Sequence, residues 1–288
     1  MNKAAEFEKC LLCGSVRILP LDGYENNFLF KCSDCGFVFC NRRPSIEELQ
    51  THYSKYPRAI GISPITLKRY EELLDGIEVY RKTNNLIDLG CGDGHFLVAA
   101  KKRNWNVFGT EFNDEAVMIC EKKGIPMKKG SLNQGDFGDD YFDVITSFEV
   151  IEHINEPTQD LDCVKSIVRK GGLVYVTTPN FNSISRSILG SRWNVVEYPE
   201  HLCYYTPDTL SRLFKNKGFK KLRLTTTGIS LNRLKVSFTS SSVEINQDES
   251  LRNSIEGNFL LGLAKKTINL VLDTFGKGDS IKGYFQKI

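Results

Sequence analysis

Apolar and polar positions follow two kinds of pattern from about residue 85 to the end of the chain. Short apolar runs have the length of buried strands, and the segments between several of them repeat apolar residues at helical spacing. Strands that alternate with helices are typical of a parallel sheet covered on both faces. The pattern predicts an α/β fold with a doubly wound, mostly parallel sheet of seven strands. The predicted strands are LIDLG, NVFGTEF, IPMKKG, FDVITSF, GGLVYVTTP, KKLRLTTTG and GDSIKGYFQKI, and the helices are residues 95–103, 115–123, 158–168 and 207–217.

Two further helical segments flank this pattern. Residues 44–83 contain PSIEELQTHYSKY and SPITLKRYEELLDGI, in which serine and proline mark the start of a helix, and we expect a helical linker or lid. Residues 229–277 form a predicted insertion before the last strand, and its apolar helix spans 257–276. That helix could pack on its own domain, close over the site, form a dimer face or lie on a membrane surface. Three tyrosines of the linker could face a ligand or only pack: Tyr53, Tyr56 and Tyr70.

Four cysteines near the N-terminus form two CxxC pairs, Cys10 with Cys13 and Cys32 with Cys35. This spacing is typical of a zinc ribbon, in which four thiolates bind one tetrahedral ion. A segment this short cannot build a core of its own, so the metal would supply much of its folding free energy. We therefore predict a zinc ribbon over residues 1–43.

Composition limits the class of protein further. The 288 residues are 41% hydrophobic and 25% charged, with a net charge of +3, which gives no electrostatic case for a nucleic-acid partner. The sequence shows no secretory signal and no run of about 18 apolar residues that would span a membrane. The nine cysteines are then expected to be reduced thiols or metal ligands, and we expect a cytoplasmic protein.

A glycine-rich turn follows the first strand of the repeating pattern. Gly90, Gly92 and Gly94 let the backbone approach a ligand and direct amide groups at it. Glu111 ends the next strand, where a carboxylate can accept hydrogen bonds from both ribose hydroxyls. A turn of this kind also occurs in dinucleotide sites, so alone it indicates a nucleotide-like ligand without naming it.

DLGCGDG, the Glu111 position, FDVITSFEVIEHI and KGGLVYVTTPN together resemble class I S-adenosylmethionine-dependent methyltransferases. The resemblance covers roughly residues 84–228 and the final strand, and it implies a Rossmann-like methyltransferase domain over 84–288. It also implies the cofactor S-adenosylmethionine and a role for each matching position. The residues expected around the methionine part are Asp88, Gly90, Cys91, Gly92 and Gly94; Glu111 would hold the ribose, Phe112, Ser131 and Leu132 the adenine, and Phe148 would lie beside the cofactor.

The stretch FEVIEHI places Glu149, Glu152 and His153 after the fourth strand. If a helix begins near Glu149, these positions share one face beside the cofactor, where they could bind Mg²⁺ or Mn²⁺. The ExxEH pattern is similar to that of small-RNA 2′-O-methyltransferases and ubiquinone-pathway O-methyltransferases, which implies a further histidine, and His201 in EYPEHL is the candidate. Alternatively His153 is a general base without a metal, or the charges only favour a helix start.

The ribbon, the core and the WxxxEYPEHLxYYT-like segment together resemble bacterial methyltransferases of polysaccharide and sugar loci. The resemblance implies O-methylation of a sugar or a similar polyol-bearing small molecule. Aromatic rings could stack on sugar faces or simply pack, and the acceptor atom and oligomeric state stay open. An RNA methyltransferase that uses its ribbon for recognition and a non-catalytic cofactor-binding protein are the alternatives. The aromatic residues concerned are Trp193, Tyr198, Tyr204 and Tyr205.

Overall fold

The computed structural model describes residues 6–45, 48, 61–228 and 259–288, and the side chains of the last range from residue 267 onward. Its larger sheet has seven strands in the order β10-β11-β8-β7-β4-β5-β6. Neighbouring strands from β8 to β6 are parallel, whereas β11 runs antiparallel to both β8 and β10. The prediction of a mostly parallel, seven-stranded sheet is confirmed. The strands are β4 (Asn85–Leu89), β5 (Asn106–Glu111), β6 (Met127–Lys129), β7 (Phe142–Phe148), β8 (Val168–Pro179), β10 (Phe219–Thr227) and β11 (Ser280–Lys287).

Helices cover both faces of this sheet. On one face α1, α2 and α3 pack over Leu86, Val144 and Tyr175, and on the other α4 and α6 pack over Ile87 and Ile145. Each predicted helix of the repeating region lies within a few residues of its expected position. The helices are α1 (Pro64–Ile77), α2 (His95–Lys102), α3 (Asp114–Lys122), α4 (Pro157–Ile167), α5 (Ile184–Leu189), α6 (Pro207–Asn216) and α7 (Phe259–Thr274).

A second, smaller sheet contains the N-terminal cysteines and has the order β1-β2-β3-β9. Its first three strands are β1 (Ile18–Pro20), β2 (Leu29–Cys32) and β3 (Val38–Cys40). The fourth, β9 (Cys203–Tyr204), comes from the long segment between β8 and α6 and pairs antiparallel with β3. The sequence did not predict this strand, and it ties the cysteine-rich segment to the main domain.

The second predicted helix of residues 44–83 is present, whereas its role as a linker or lid stays a prediction. Helix α1 begins after Ser63, whose hydroxyl accepts a hydrogen bond from the N–H of Thr66 at 3.2 Å. Most of the predicted helix over PSIEELQTHYSKY, with Tyr53 and Tyr56, lies outside the described residues, as do residues 229–258 of the predicted insertion. The three domain boundaries at 43, 83 and 229 therefore stay predictions.

The apolar helix near the C-terminus is present as α7 and packs on β10 through its last turns. The hydroxyl of Thr226 donates to the carbonyl oxygen of Leu272 at 3.0 Å, and the N–H of Thr226 donates to the carboxylate of Asp273 at 2.6 Å. Leu272 is buried there, while Leu270 and Phe275 are exposed. Within the described part of the chain, no helix is both long and apolar enough to cross a membrane.

Candidate active site

The glycine turn joins β4 to α2 at the carboxyl edge of the sheet, and its geometry requires glycine. Gly90, Gly92 and Gly94 have φ values of 66°, 51° and 72°. A Cβ on Gly90 would lie 2.5 Å from Cγ2 of Val150, in the segment that follows β7. A Cβ on Gly92 would meet no atom within 4 Å, so the turn is open on the side where a ligand would approach. Because a left-handed backbone is costly for most other residues, glycine is the favoured residue at all three positions.

Glu111 ties the end of β5 to this turn. Its Oε2 accepts a hydrogen bond from the N–H of Gly92 at 2.9 Å, and its Oε1 accepts from the N–H groups of Phe112 at 2.7 Å and Asn113 at 3.1 Å. Three backbone donors fix the carboxylate in one orientation beside the turn. This is the position at which the sequence predicts the ribose contact.

Asp88 lies under the turn near the end of β4 and is 2% exposed. The hydroxyl of Thr146 in β7 donates to its Oδ1 at 2.7 Å. Burial raises the pKa of Asp88 to about 8, the hydrogen bond from Thr146 opposes that rise, and the charge of Glu111 adds to it. A carboxyl group held partly neutral in this way is suited to become charged when a cation binds next to it.

Cys91 belongs to the turn, but its thiol points into the core. Its Sγ lies 3.9 Å from Sγ of Cys120 and 4.0 Å from Sδ of Met127. The backbone of Cys91, rather than its side chain, is therefore the part that could make the predicted contact with the cofactor.

A cavity beside the turn brings together the positions predicted for the adenine. Phe112, Ser131 and Leu132 line it with Gly90 and Val150. The ring of Phe112 is 69% exposed and so is accessible to a planar ligand, whereas Leu132 is buried and closes the inner wall. The predicted residues thus lie around one space.

Asp160 of α4 also lines this cavity, and the sequence prediction missed it. The residue is half-buried, and this burial raises its pKa to about 6. In the sequence, Asp160 is an acidic residue in the first turn of a helix, where the helix dipole alone would favour it. Only the packing of α4 against the strand ends reveals its location.

Phe148 closes β7 within a group of aromatic rings. Its ring centroid lies 5.1 Å from that of Phe96 and 5.6 Å from those of Tyr70 and Tyr175. Tyr70 is the linker tyrosine that the structure describes. Burial raises the pKa of its hydroxyl to about 12, and the charge of Asp88 contributes to the rise. The ring cluster therefore borders the predicted cofactor site on the side of α1.

The expected helix beginning near Glu149 is wrong. Glu149 has a φ of 53°, outside the helical region, and its N–H donates to the carbonyl oxygen of Thr177 in β8 at 3.0 Å. A short 3-10 turn, Ile151–His153, follows instead. Because Glu149 stays bonded to the neighbouring strand, it does not share a helical face with Glu152 and His153.

A different arrangement brings Glu152, His153 and His201 together. One ligand atom from each of these residues lies within 4.8 Å of those of the other two, and Glu149 is not part of the group. The two imidazole rings are 4.7 Å apart between centroids, and Oε1 of Glu152 lies 3.9 Å from Nε2 of His153. The structure thus brings together three of the four predicted metal ligands, and the role of Glu149 as the fourth stays a prediction.

Hydrogen bonds orient each member of this group. Nδ1 of His153 lies 2.8 Å from the carbonyl oxygen of Glu200, and Nδ1 of His201 lies 2.5 Å from that of Val195. A carbonyl accepts only, so both Nδ1 atoms carry the proton and both Nε2 atoms carry the lone pair in the neutral rings. Oε2 of the buried Glu152 accepts from the hydroxyl of Thr178 at 2.9 Å. Carbonyl-anchored imidazoles of this kind are typical of metal ligands, so the donor set fits a divalent cation.

The four N-terminal cysteines also converge. Sγ of Cys10 lies 3.5 Å from that of Cys35, and Sγ of Cys13 lies 3.6 Å from that of Cys32. A tetrahedral zinc ion with Zn–S bonds of about 2.3 Å separates its sulfurs by about 3.8 Å, so the arrangement fits zinc. All four sulfurs lie within 4.8 Å of one another.

Comparison with known proteins accounts for the larger sheet and its turn. A family model described as a methyltransferase domain matches residues 66–224, more than half of the chain. The chain belongs to this methyltransferase family. It is a class I enzyme that uses S-adenosylmethionine, as its motifs predicted.

Individual relatives agree with this assignment. The methyltransferase is 26% identical over 174 residues to a ubiquinone biosynthesis O-methyltransferase of Nitrosomonas europaea, a match that spans 54% of this chain and 71% of that protein. A protein of the same name from Aeromonas salmonicida is 25% identical over 146 residues, which are 46% of this chain and 61% of the relative. A solved S-adenosylmethionine-dependent methyltransferase from Archaeoglobus fulgidus shares the fold, with a TM-score of 0.53 at 18% identity, and the match covers 76% of this chain and 92% of that one.

The methyltransferase does not offer most of its expected sugar-stacking rings to a ligand. Trp193, Tyr204 and Tyr205 are 1%, 4% and 0% exposed and lie in hydrophobic cores. Tyr198 is half-buried, and its hydroxyl lies 3.4 Å from both carboxylate oxygens of Glu48. The stacking interpretation is therefore wrong for the three buried rings. Their apolar area stabilises the contact between the segment and the ribbon instead.

Proposed function

We propose that this methyltransferase transfers the methyl group to a hydroxyl oxygen of a sugar or a similar polyol. The supporting observation is the group of Glu152, His153 and His201, which lies after β7, at the strand edge that also carries the glycine turn. The names of its curated relatives specify O-methyltransferases, which supports an oxygen acceptor. Neighbouring hydroxyls of a polyol would suit a site that holds two oxygens of one molecule.

Each part of the site has a distinct task in this proposal. The glycine turn and Glu111 would align the cofactor, since methyl transfer depends chiefly on an in-line approach of donor and acceptor. Glu152, His153 and His201 would hold a divalent cation, which when bound would lower the pKa of an acceptor hydroxyl. Two imidazoles and one carboxylate suit Mn²⁺ better than Mg²⁺, which prefers oxygen ligands.

A general base without a metal is the second candidate, and the tautomer of His153 favours it. With the proton fixed on Nδ1 by Glu200, Nε2 of His153 is the atom that would accept a proton from the acceptor hydroxyl. In this alternative His201 would support the ring of His153 from 4.7 Å away.

Turnover of labelled S-adenosylmethionine with a panel of nucleotide sugars tests the acceptor class, and incorporation into a sugar hydroxyl is the expected result. Assays in excess chelator, with zinc verified in the ribbon, test the cation. We expect activity to be lost and then restored by Mn²⁺. Full activity in the chelator would contradict the requirement for a divalent cation and would favour His153 as a general base. Methylation of RNA with a steep salt dependence, and no turnover of any sugar, would contradict the acceptor class.

A further inference from the structure

The cysteine-rich sheet and the candidate active site share a strand. In the antiparallel pairing of β3 with β9, Val38 is opposite Tyr204 and Phe39 is opposite Cys203. The N–H of Cys40 extends this pairing by donating to the carbonyl oxygen of Leu202 at 2.8 Å. Three consecutive residues of the ribbon are therefore in register with residues 202–204.

Leu202 also bonds to the active site on its other side. Its N–H donates to the carbonyl oxygen of Glu152 at 2.8 Å, next to the carbonyl of Glu200 that receives the proton of His153. In the chain, His201 lies between Glu200, whose carbonyl accepts from His153, and Leu202, whose N–H donates to Glu152. A continuous path of backbone hydrogen bonds thus leads from the ribbon through Leu202 to the Glu152–His153 turn.

Packing makes this connection stiff. Phe37 and Phe39 of the ribbon are fully buried, and the ring of Phe37 lies 5.2 Å from that of Tyr205. Cys10 and Cys32 belong to the same hydrophobic core as Leu210 and Phe214 of α6. A ribbon that is buried in the core of the main domain cannot swing independently as a recognition arm.

We infer that the ribbon is a positioning element of the active site. It holds residues 200–204 through β3 and Val195 through the core that Val195 shares with Leu29 and Val38, and it thereby sets the tautomer and orientation of His153 and His201. Zinc at the four cysteines would stabilise the β2–β3 turn, and through β3 it would stabilise β9. The roles of the two histidines rest on the proposed function. Their placement by the ribbon is a separate claim, and it can be measured without any methyl transfer.

Histidine nitrogen NMR measures this placement directly, because the chain has four histidines. In the ¹⁵N-histidine-labelled protein, His153 and His201 should show the tautomer with the proton on Nδ1. The variant Cys13→Ser alters an exposed thiol of the zinc group, and Cys163→Ser makes the same change in α4, outside the ribbon. We expect the first variant to lose zinc and the two tautomer signatures, and the second to keep both.

His95, at the start of α2, is the internal reference for an intact main domain. Its signals should be unchanged, and the affinity for S-adenosylmethionine should stay within about twofold, as for separate sites. Zinc loss with unchanged signals from His153 and His201 would overturn the inference. Such a result would leave the proposed methyl transfer intact, so the two failures are distinguishable.

A second pair of variants breaks the path while the zinc group is kept. Leu202→Pro removes the N–H that donates to Glu152, whereas Leu202→Ala keeps it and shortens the side chain. We expect Leu202→Pro to retain zinc but lose the two tautomer signatures, and Leu202→Ala to retain all of them. Unchanged histidine signals in Leu202→Pro would contradict the path even if Cys13→Ser fails to fold.

Discussion

His153 donates its Nδ1 proton to the carbonyl oxygen of Glu200 at 2.8 Å, although 47 positions separate the two residues in the chain. This one bond fixes which nitrogen of the ring faces the neighbouring Glu152 and His201. Whether the site works through a metal or through a base, the reacting nitrogen is Nε2. The two mechanisms then differ in what His201 does.

Replacement of His201 by alanine separates these mechanisms. If the residue is a metal ligand, we expect methyl transfer to fall, and the Mn²⁺ concentration for half-maximal activity to rise, by at least the roughly 10-fold to 100-fold that loss of a residue supporting a ligand costs. His153→Ala should then behave in the same way. If His153 is the base, only His153→Ala should remove the acidic limb of the pH–rate profile. Initial rates across pH and Mn²⁺ concentration measure both effects.

Replacement of Glu111 by glutamine tests the carboxylate that organises the glycine turn. The amide keeps the shape but loses the charge that strengthens the hydrogen bonds from Gly92, Phe112 and Asn113. A loss of about 1.5–3 kcal/mol would weaken S-adenosylmethionine binding by roughly 10-fold to 100-fold. Calorimetry measures this, with Glu121→Gln on the exposed side of α3 as the control. Equal affinities in both variants would contradict the role of Glu111.

The raised pKa of Asp88 predicts that cofactor binding depends on pH. Its pKa is about 8 in the folded protein without ligand, above the ordinary 3.8, so it stabilises the fold most at low pH and this contribution is lost as the pH rises through 8. The cationic cofactor favours the ionised form. Binding should therefore release protons at neutral pH and strengthen with pH, by about tenfold per pH unit at most. Calorimetry at neutral pH in buffers of different ionisation enthalpy measures the release, which Asp88→Asn should abolish.

The ion pair between Arg169 and Asp143 predicts an effect on the stability of the fold. The guanidinium donates to Asp143, which is 0% exposed and also accepts from the N–H groups of Lys82, Thr83 and Asn84. Arg169→Ala would leave a buried carboxylate without its cation, at a cost of about 3–5 kcal/mol of unfolding free energy. Denaturant unfolding measures this, and Lys170→Ala, an exposed neighbour, should have little effect.

The acid dependence of that loss checks its cause. Burial alone would raise the pKa of Asp143, but the bonds from Arg169 and the backbone lower it below the ordinary value. A lowered carboxyl pKa stabilises the fold above the ordinary value, and that contribution is lost as the pH falls through the lowered one. The difference between wild type and Arg169→Ala should therefore narrow toward acid pH. A constant difference would indicate lost packing rather than a lost ion pair.

Local signals were sufficient to predict the large sheet. Runs such as FDVITSF are long enough and apolar enough to be buried strands, and Ser63 and Thr206 cap helices where the sequence indicates. The positions expected around the cofactor rest on the same kind of signal, because glycine turns and strand ends are local features, and their contacts stay predictions.

Features that depend on distant contacts were not predictable. The two-residue strand Cys203–Tyr204 has no periodicity of its own and forms because β3 offers a free edge. Glu149 does not begin the expected helix because its N–H donates to the carbonyl oxygen of Thr177 in β8. Neither partner is visible from the neighbouring sequence, and both decide which polar side chains meet in the site.

The shared strand determines how this protein could be divided or recombined. Removal of residues 1–43 would leave Cys203 and Tyr204 as an unpaired edge, and it would take Phe37 and Tyr24 away from the buried rings of Tyr205 and Phe181, a combination that favours aggregation. A chimaera with a foreign ribbon would need residues 193–206 from the same donor. The ribbon and that segment are separated by more than 140 residues in the chain, but they must therefore be exchanged together.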